Sequence, residues 1–322
     1  MMQPNAPGIL PSQTIRKMIG GGLIRSASGK IPDERVQATS LDLTLSDDSP
    51  TETINPGASR LYHLDEVFRL PKGIHVAGDG RSRSAKSGLC ASLLDEGGGP
   101  VQPGYRGRLM LRVESRCHRV RVGPGVSLAH VRFYNGCPEE SRIDPSGLPE
   151  YQKGYDFRER RMVMHLNLND GGCPGYMAIR TRNVLDTRKP GTNRWEDFYA
   201  TVEGRKPFLA GPGGLLVLDT IEELKSADGK GPYYACTMPA SLGPLRVNAA
   251  SLVEFGSTGR HALEIYPPDT GTTILTHGQE ICCIEFNSIA GNEPPDRVYG
   301  PHNGNTNLSR ILLGPFFLTP GY

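Results

Sequence analysis

The chain reads as mainly β: two tandem units of short strands with few short helices. Three observations predict this. Glycine and proline are frequent (40 and 27 of 322 residues), which suits many strands joined by turns. The clearest apolar pattern, Leu41-Asp42-Leu43-Thr44-Leu45, alternates with the period of a strand. A strand–turn–strand stretch also occurs twice: Gly104, Gly107, Gly125 and Phe133 recur as Gly256, Gly259, Gly278 and Phe286. Gly107 to Gly259 is 152 residues, and Gly125 to Gly278 and Phe133 to Phe286 are each 153. A nearly constant shift of this kind points to a duplicated unit. The length allows two cores, with the units expected at residues 1–150 and 155–322.

From the N-terminus, Ser12 is read as the N-cap of a short helix carrying Ile15, Met18 and Ile19 on one face, ended by Gly20-Gly21-Gly22. In the next strand Leu41, Leu43 and Leu45 are expected inward, with Asp42 and Thr44 outward. A polar loop from Ser46 to about Gly57 follows, then a mixed pattern from Leu61 to Leu70 and a turn into Ile74-His75-Val76. Asp79 to Gly88 holds three serines and the cations Arg81, Arg83 and Lys86 between glycines. Such a stretch suits a phosphate grip, in which hydroxyls and backbone N–H groups ring the oxygens and cations neutralise them. It lacks the Gly-Lys-Ser/Thr ending of a Walker motif, and a solvated basic loop is the alternative.

Pro145 to Gly154 reads as a linker and Met162–Leu168 as the opening strand of the second unit. Trp195, the only tryptophan, is expected to pack under a long loop. Gly214–Leu218 is another strand, followed by a helical turn from Ile221 to Lys225. The run from Leu252 to Phe286 reads as two strands, with Glu264 inside the first, between Ala262-Leu263 and Ile265-Tyr266. A carboxylate held among apolar side chains has its charged form disfavoured, which moves it toward the range useful for proton transfer. An exposed edge-strand glutamate is the alternative. At the matching position of the first copy stands Arg112, with Glu114 two residues on. The second copy lacks the Ser/Arg/Lys stretch: 36 positions separate Pro71 from Gly107, but only 20 separate Pro239 from Gly259. One unit thus keeps the phosphate grip and the other the carboxylate, as in a site shared between them. The tail from Val298 to Arg310 is rich in glycine and amides and reads as a ligand lid or an ordinary mobile terminus.

Bulk properties narrow the function. A net charge of +2 gives no sign of a nucleic-acid or membrane-surface binder. No apolar run approaches the roughly 20 residues that span a bilayer, and the first residues lack the pattern of a signal peptide. Seven cysteines without a Cys-x-x-Cys, and eight scattered histidines, argue against a disulfide framework or a structural zinc site and for a cytoplasmic protein.

Asp79-Gly80-Arg81-Ser82-Arg83-Ser84-Ala85-Lys86-Ser87-Gly88-Leu89 resembles the Asp-Gly-Arg-Ser-Ser-Leu-Ala-Arg-Leu-Gly-Leu motif of dCTP deaminases, in the dUTPase-like superfamily. Val101–Gly107 is similar to their Ile-Asp-Pro-Gly-Trp-x-Gly, and Ala262-Leu263-Glu264-Ile265-Tyr266 to the Val-Leu-Glu-Phe-Tyr strand bearing the catalytic glutamate. Gly8–Pro11 and Gln37–Leu43 resemble the tandem form of these enzymes. The resemblance implies two distorted β-barrels, assembly as a homo-oligomer with a trimer favoured, a deoxycytidine nucleotide as substrate, and Mg²⁺ with the triphosphate but no zinc. It implies Glu264, Lys86 and Ser82 as catalytic residues. Arg81, Ser82, Ser84, Lys86, Gln102, Tyr105, Tyr299 and Arg310 are implied as nucleotide-binding. Lys86 stands where the family has arginine, and a lysine lacks the planar fork of paired donors. Hydrolytic deamination of dCTP is the first reading; dUTP diphosphatase and a nucleotide-binding protein without turnover are the others.

Overall fold

The computed structural model describes residues 6–169, 174–204, 207–225, 233–242, 245–247, 251–298 and 316–317. Strands dominate, and the α-helices among these residues are α1 (Ser12–Gly20) and α2 (Ser82–Ala85). The first sheet orders its strands Gly8–Ile9, Ala129–Asn135, Ile74–Gly80, Leu89–Leu94, Arg106–Ser115, Ser59–Arg69 and Ile24–Ser26, with Leu41–Leu43 also on Ala129–Asn135. The second centres on Leu216–Leu224, Arg161–Asn167, Glu280–Ser288 and Tyr234–Ser241, with Gly259–Tyr266 paired to Leu216–Leu224.

The repeat is visible in the pairing. Ser59–Arg69 runs antiparallel to Arg106–Ser115, as Leu216–Leu224 does to Gly259–Tyr266. Phe133 lies opposite Val76, and Phe286 opposite Cys236; both phenylalanines are fully buried. The halves are nevertheless not separately closed. The core of the first sheet takes in Tyr176, Leu185, Phe198, Tyr199, Val217 and Tyr266 from later in the chain. Val184–Asp186 lies parallel to Arg119–Val122, which pairs with Glu52–Ile54, so one small sheet mixes both halves. Arg142–Ile143 also joins the second sheet, by pairing with Glu280–Ser288.

Several expectations are corrected. Ser12 is inside α1, whose cap is Pro11, and its hydroxyl bonds Asp296. Leu41, Leu43 and Leu45 are buried as expected, but so is Asp42, because the other face of this strand carries an ion pair. The polar linker contains a core residue: Tyr151 packs edge-on against Tyr155 and Phe286. Ile221–Leu224 continues a strand and forms no helical turn; alternating exposure of Ile221 and Glu223 with burial of Glu222 and Leu224 follows the strand period. The Leu252–Phe286 run forms four strands. Trp195 packs against Tyr176, as read.

Candidate active site

From Leu263 to Tyr266 the Gly259–Tyr266 strand is buried on both faces, which explains why its sequence is apolar on both sides of the glutamate. Leu263 and Ile265 belong to the core of the second sheet, while Tyr266 and Ala262 pack on that of the first. Glu264 shares the latter face by the two-residue period and is 2 % exposed, so the exposed-edge alternative fails.

What it meets is the Ser/Arg/Lys stretch. Arg81 leaves its strand extended, Ser82–Ala85 make a single helical turn, and Gly88 closes the segment at φ +80. A side chain at Gly88 would be strained there, and its Cβ would lie 2.5 Å from the Cys117 sulfur. Ser82 Oγ donates to Glu264 Oε1 at 3.0 Å. Lys86 is 6 % exposed; burial pushes its pKa down, and the charge of Glu264 works against that shift. Beside them burial, then the charge of Lys86, hold the His261 imidazole down at about 4. A buried carboxylate thus sits with a hydroxyl donor and an ammonium, a set able to accept and return a proton.

The other named residues divide. Arg81 donates to Asp42 Oδ2 at 2.5 Å and to Ser127 Oγ at 3.0 Å. Ser84 is buried, and its hydroxyl has no hydrogen-bond partner among the described residues. Gln102 and Tyr105 are not brought to the cluster. They lie beyond the far end of the Leu89–Leu94 and Arg106–Ser115 pair, where Leu94 faces Met110, while Lys86 adjoins the end where Leu89 faces Ser115. Five residue steps at about 3.3 Å each keep the two ends roughly 17 Å apart. Gln102 bonds Pro100 O and Tyr105 bonds Arg108 O, both locally. Tyr299, Arg310 and the Gly300–Arg310 tail lie outside the described residues.

Sequence reasoning missed Glu254 and Arg132. Glu254, 7 % exposed, accepts from Thr39 N (2.7 Å), Thr39 Oγ1 (2.6 Å) and Ser40 Oγ. Arg132, fully buried, donates to the Cys236 and Val253 carbonyls, each at 2.9 Å. The signal for Glu254 was present, since the 152-residue shift sets it at the place of Gln102. Asp79 adds a third link across the halves: it accepts from Ser251 N at 2.9 Å and lies 3.1 Å from His130 Nε2. Away from this seam, Asp156, His165 and Glu280 are grouped closely enough to hold a cation. Arg158 already donates to both of those carboxylates, at 2.9 and 2.5 Å.

Comparison with known proteins bears on this arrangement. Residues 47–136, which include α2, match the dCTP deaminase-like family model. No curated protein matches the chain. The crystal structure of 2'-deoxycytidine 5'-triphosphate deaminase from Agrobacterium tumefaciens is similar over 90 % of this chain and 100 % of that one, with a TM-score of 0.79 and 20 % identity. At that identity the likeness establishes the fold, a mainly β arrangement of two curled sheets. Among the described residues no helix is long and apolar enough to cross a membrane.

Proposed function

We propose that the protein is a hydrolytic deaminase converting dCTP and water to dUTP and ammonia. One observation carries this reading: the hydrogen bond from Ser82, in the deaminase-like motif of the first half, to Glu264, on the carboxylate strand of the second. Glu264 takes a proton from a water as its oxygen attacks C4 of cytosine. It then returns that proton to the ring nitrogen, and a further transfer lets the amine leave as ammonia. Ser82 fixes the carboxylate by donating to it, and Lys86 supplies its counter-charge. Arg81 and Ser84 are assigned to the nucleotide, Arg81 by exchanging part of its bond to Asp42 for phosphate oxygens. Mg²⁺ enters with the triphosphate, as part of the substrate. The reading includes division of the chain into units 1–150 and 155–322, a homo-oligomer with a trimer favoured, and a cytoplasmic setting.

Arg112, at the matching place in the first half, does not count against activity, because it is exposed while the buried carboxylate comes from the other half. Lys86 in place of an arginine is what favours the second reading, nucleotide binding without turnover. Purified protein incubated with dCTP or dUTP and Mg²⁺ separates the readings. Ammonia from dCTP is expected. Pyrophosphate from dUTP indicates a diphosphatase, and binding with neither product overturns the enzymatic reading.

A further inference from the structure

Helix α2 is a single turn, too short to hold itself, and a helix leaves its last carbonyls without partners of its own. The second half grips it at both ends. At the start, Glu264 takes the Ser82 hydroxyl. At the end, Tyr199 Oη donates to the Lys86 carbonyl, and Tyr266 Oη reaches the Ala85 carbonyl at 3.5 Å. Both phenols are buried, and burial raises their pKa values well above the ordinary tyrosine range, so both remain donors. Tyr199 is itself held: its ring lies edge-on to His118 at 5.1 Å and to Phe317 at 5.7 Å, and its strand pairs with Gly175–Ala178.

We propose that Tyr199 is a positioning residue for the Lys86 ammonium, with Tyr266 its weaker companion. The clamp stands on the contacts alone; its effect on turnover rests on the deaminase reading. A lysine side chain is a flexible four-carbon stem, so the place its ammonium can reach depends on where its backbone is pinned. Tyr199 bonds the carbonyl of Lys86 itself and so fixes the root from which the side chain runs toward Glu264. Without that hydroxyl the turn loosens, the carbonyl loses its buried donor, and water gains access to the ammonium.

Tyr199→Phe keeps the ring and removes the bond. For dCTP deamination it is expected to lower kcat about tenfold with KM changed less than twofold. Burial holds the Lys86 pKa below its ordinary value, so release toward water raises it and moves the alkaline limb of the kcat profile to higher pH. A role confined to stability shifts the melting temperature but not that limb. A folded variant whose kcat and limb both match the parent overturns the proposal. If Tyr199→Phe does not fold, Tyr266→Phe takes its place, and an unmoved limb there overturns the proposal equally. Hydrogen exchange provides the readout free of turnover: amides of 82–88 exchange at least tenfold faster in Tyr199→Phe while those of 12–20 do not change. Unchanged exchange at 82–88 sinks the clamp even if the parent proves to be no deaminase. Absence of ammonia from the parent sinks only the deaminase reading.

Discussion

Arg112 and Glu264 hold the same place on equivalent strands, one facing solvent and the other buried against Ser82 and Lys86. Each of these strands pairs antiparallel with the strand that matches on one side, so that pairing does not account for the contrast. The way the halves meet does. The second half presents its carboxylate strand to the α2 side of the first, whereas the matching strand of the first half leaves Arg112 exposed. The contact is therefore head-to-tail, between unlike surfaces, rather than a self-matching one. On the proposed reading one half then needs only a grip and the other only a proton carrier, because each face is used once. Arg112 on an exposed face carries no desolvation cost; at position 264 an arginine would be buried beside Lys86.

The largest expected effect breaks this asymmetry at its centre. Glu264→Gln preserves shape, removes the proton carrier and leaves the buried Lys86 without its counter-charge. Deamination is expected to fall by about 10³-fold, while Arg112→Ala stays within twofold of the parent in the same ammonia assay. Equal losses in the two variants would show that the halves are not specialised.

A smaller effect concerns how one half seals the other. His118, in the first half, is walled in by Phe198 and Tyr199 of the second, and burial holds its pKa at about 4. Neither ring nitrogen has a hydrogen-bond partner among the described residues. Its unfolded value is about 6.5, so the unfolded chain binds the extra proton first as the solution is acidified. Stability from this group is complete above pH 6.5 and is lost as the pH falls toward 4, by roughly 3 kcal/mol. Urea unfolding of His118→Phe at pH 7 and pH 4.5 is expected to show a smaller acid loss than the parent. An identical loss would place the acid sensitivity elsewhere.

The smallest effect sharpens the boundary of the site. Gln102→Ala and Tyr105→Phe are expected to leave kcat and KM for dCTP within twofold, since both side chains bond only nearby backbone, Gln102 that of Pro100 and Tyr105 that of Glu96 and Arg108. A tenfold rise in KM for either would mean that the turn reaches a nucleotide held by another copy of the chain.

Legibility followed the same asymmetry. The repeat, the strands around it and the pairing of the Ser/Arg/Lys stretch with Glu264 could be read from glycine spacing and from what each copy lacked. Burial of Glu264 could not, because a strand covered on both faces and an edge strand differ in what lies above them, not in their own letters. Asp42 was misplaced for that reason: a polar residue in an alternating strand normally faces water, but here it faces Arg81. Ile221–Lys225, read as a helical turn, continues a strand to Leu224, and Tyr151 was hidden by polar neighbours. Gln102 and Tyr105 were chosen from the better-matching copy of the motif, while Glu254, in the worse-matching one, reaches across the seam.

The small sheet in which Val184–Asp186 lies alongside Arg119–Val122 ties the two halves of the chain to one another. Residues of the later half are part of the earlier half's interior. A cut between the halves would therefore yield a fragment whose core opens to water, so the first half is not expected to stay folded once parted from the second.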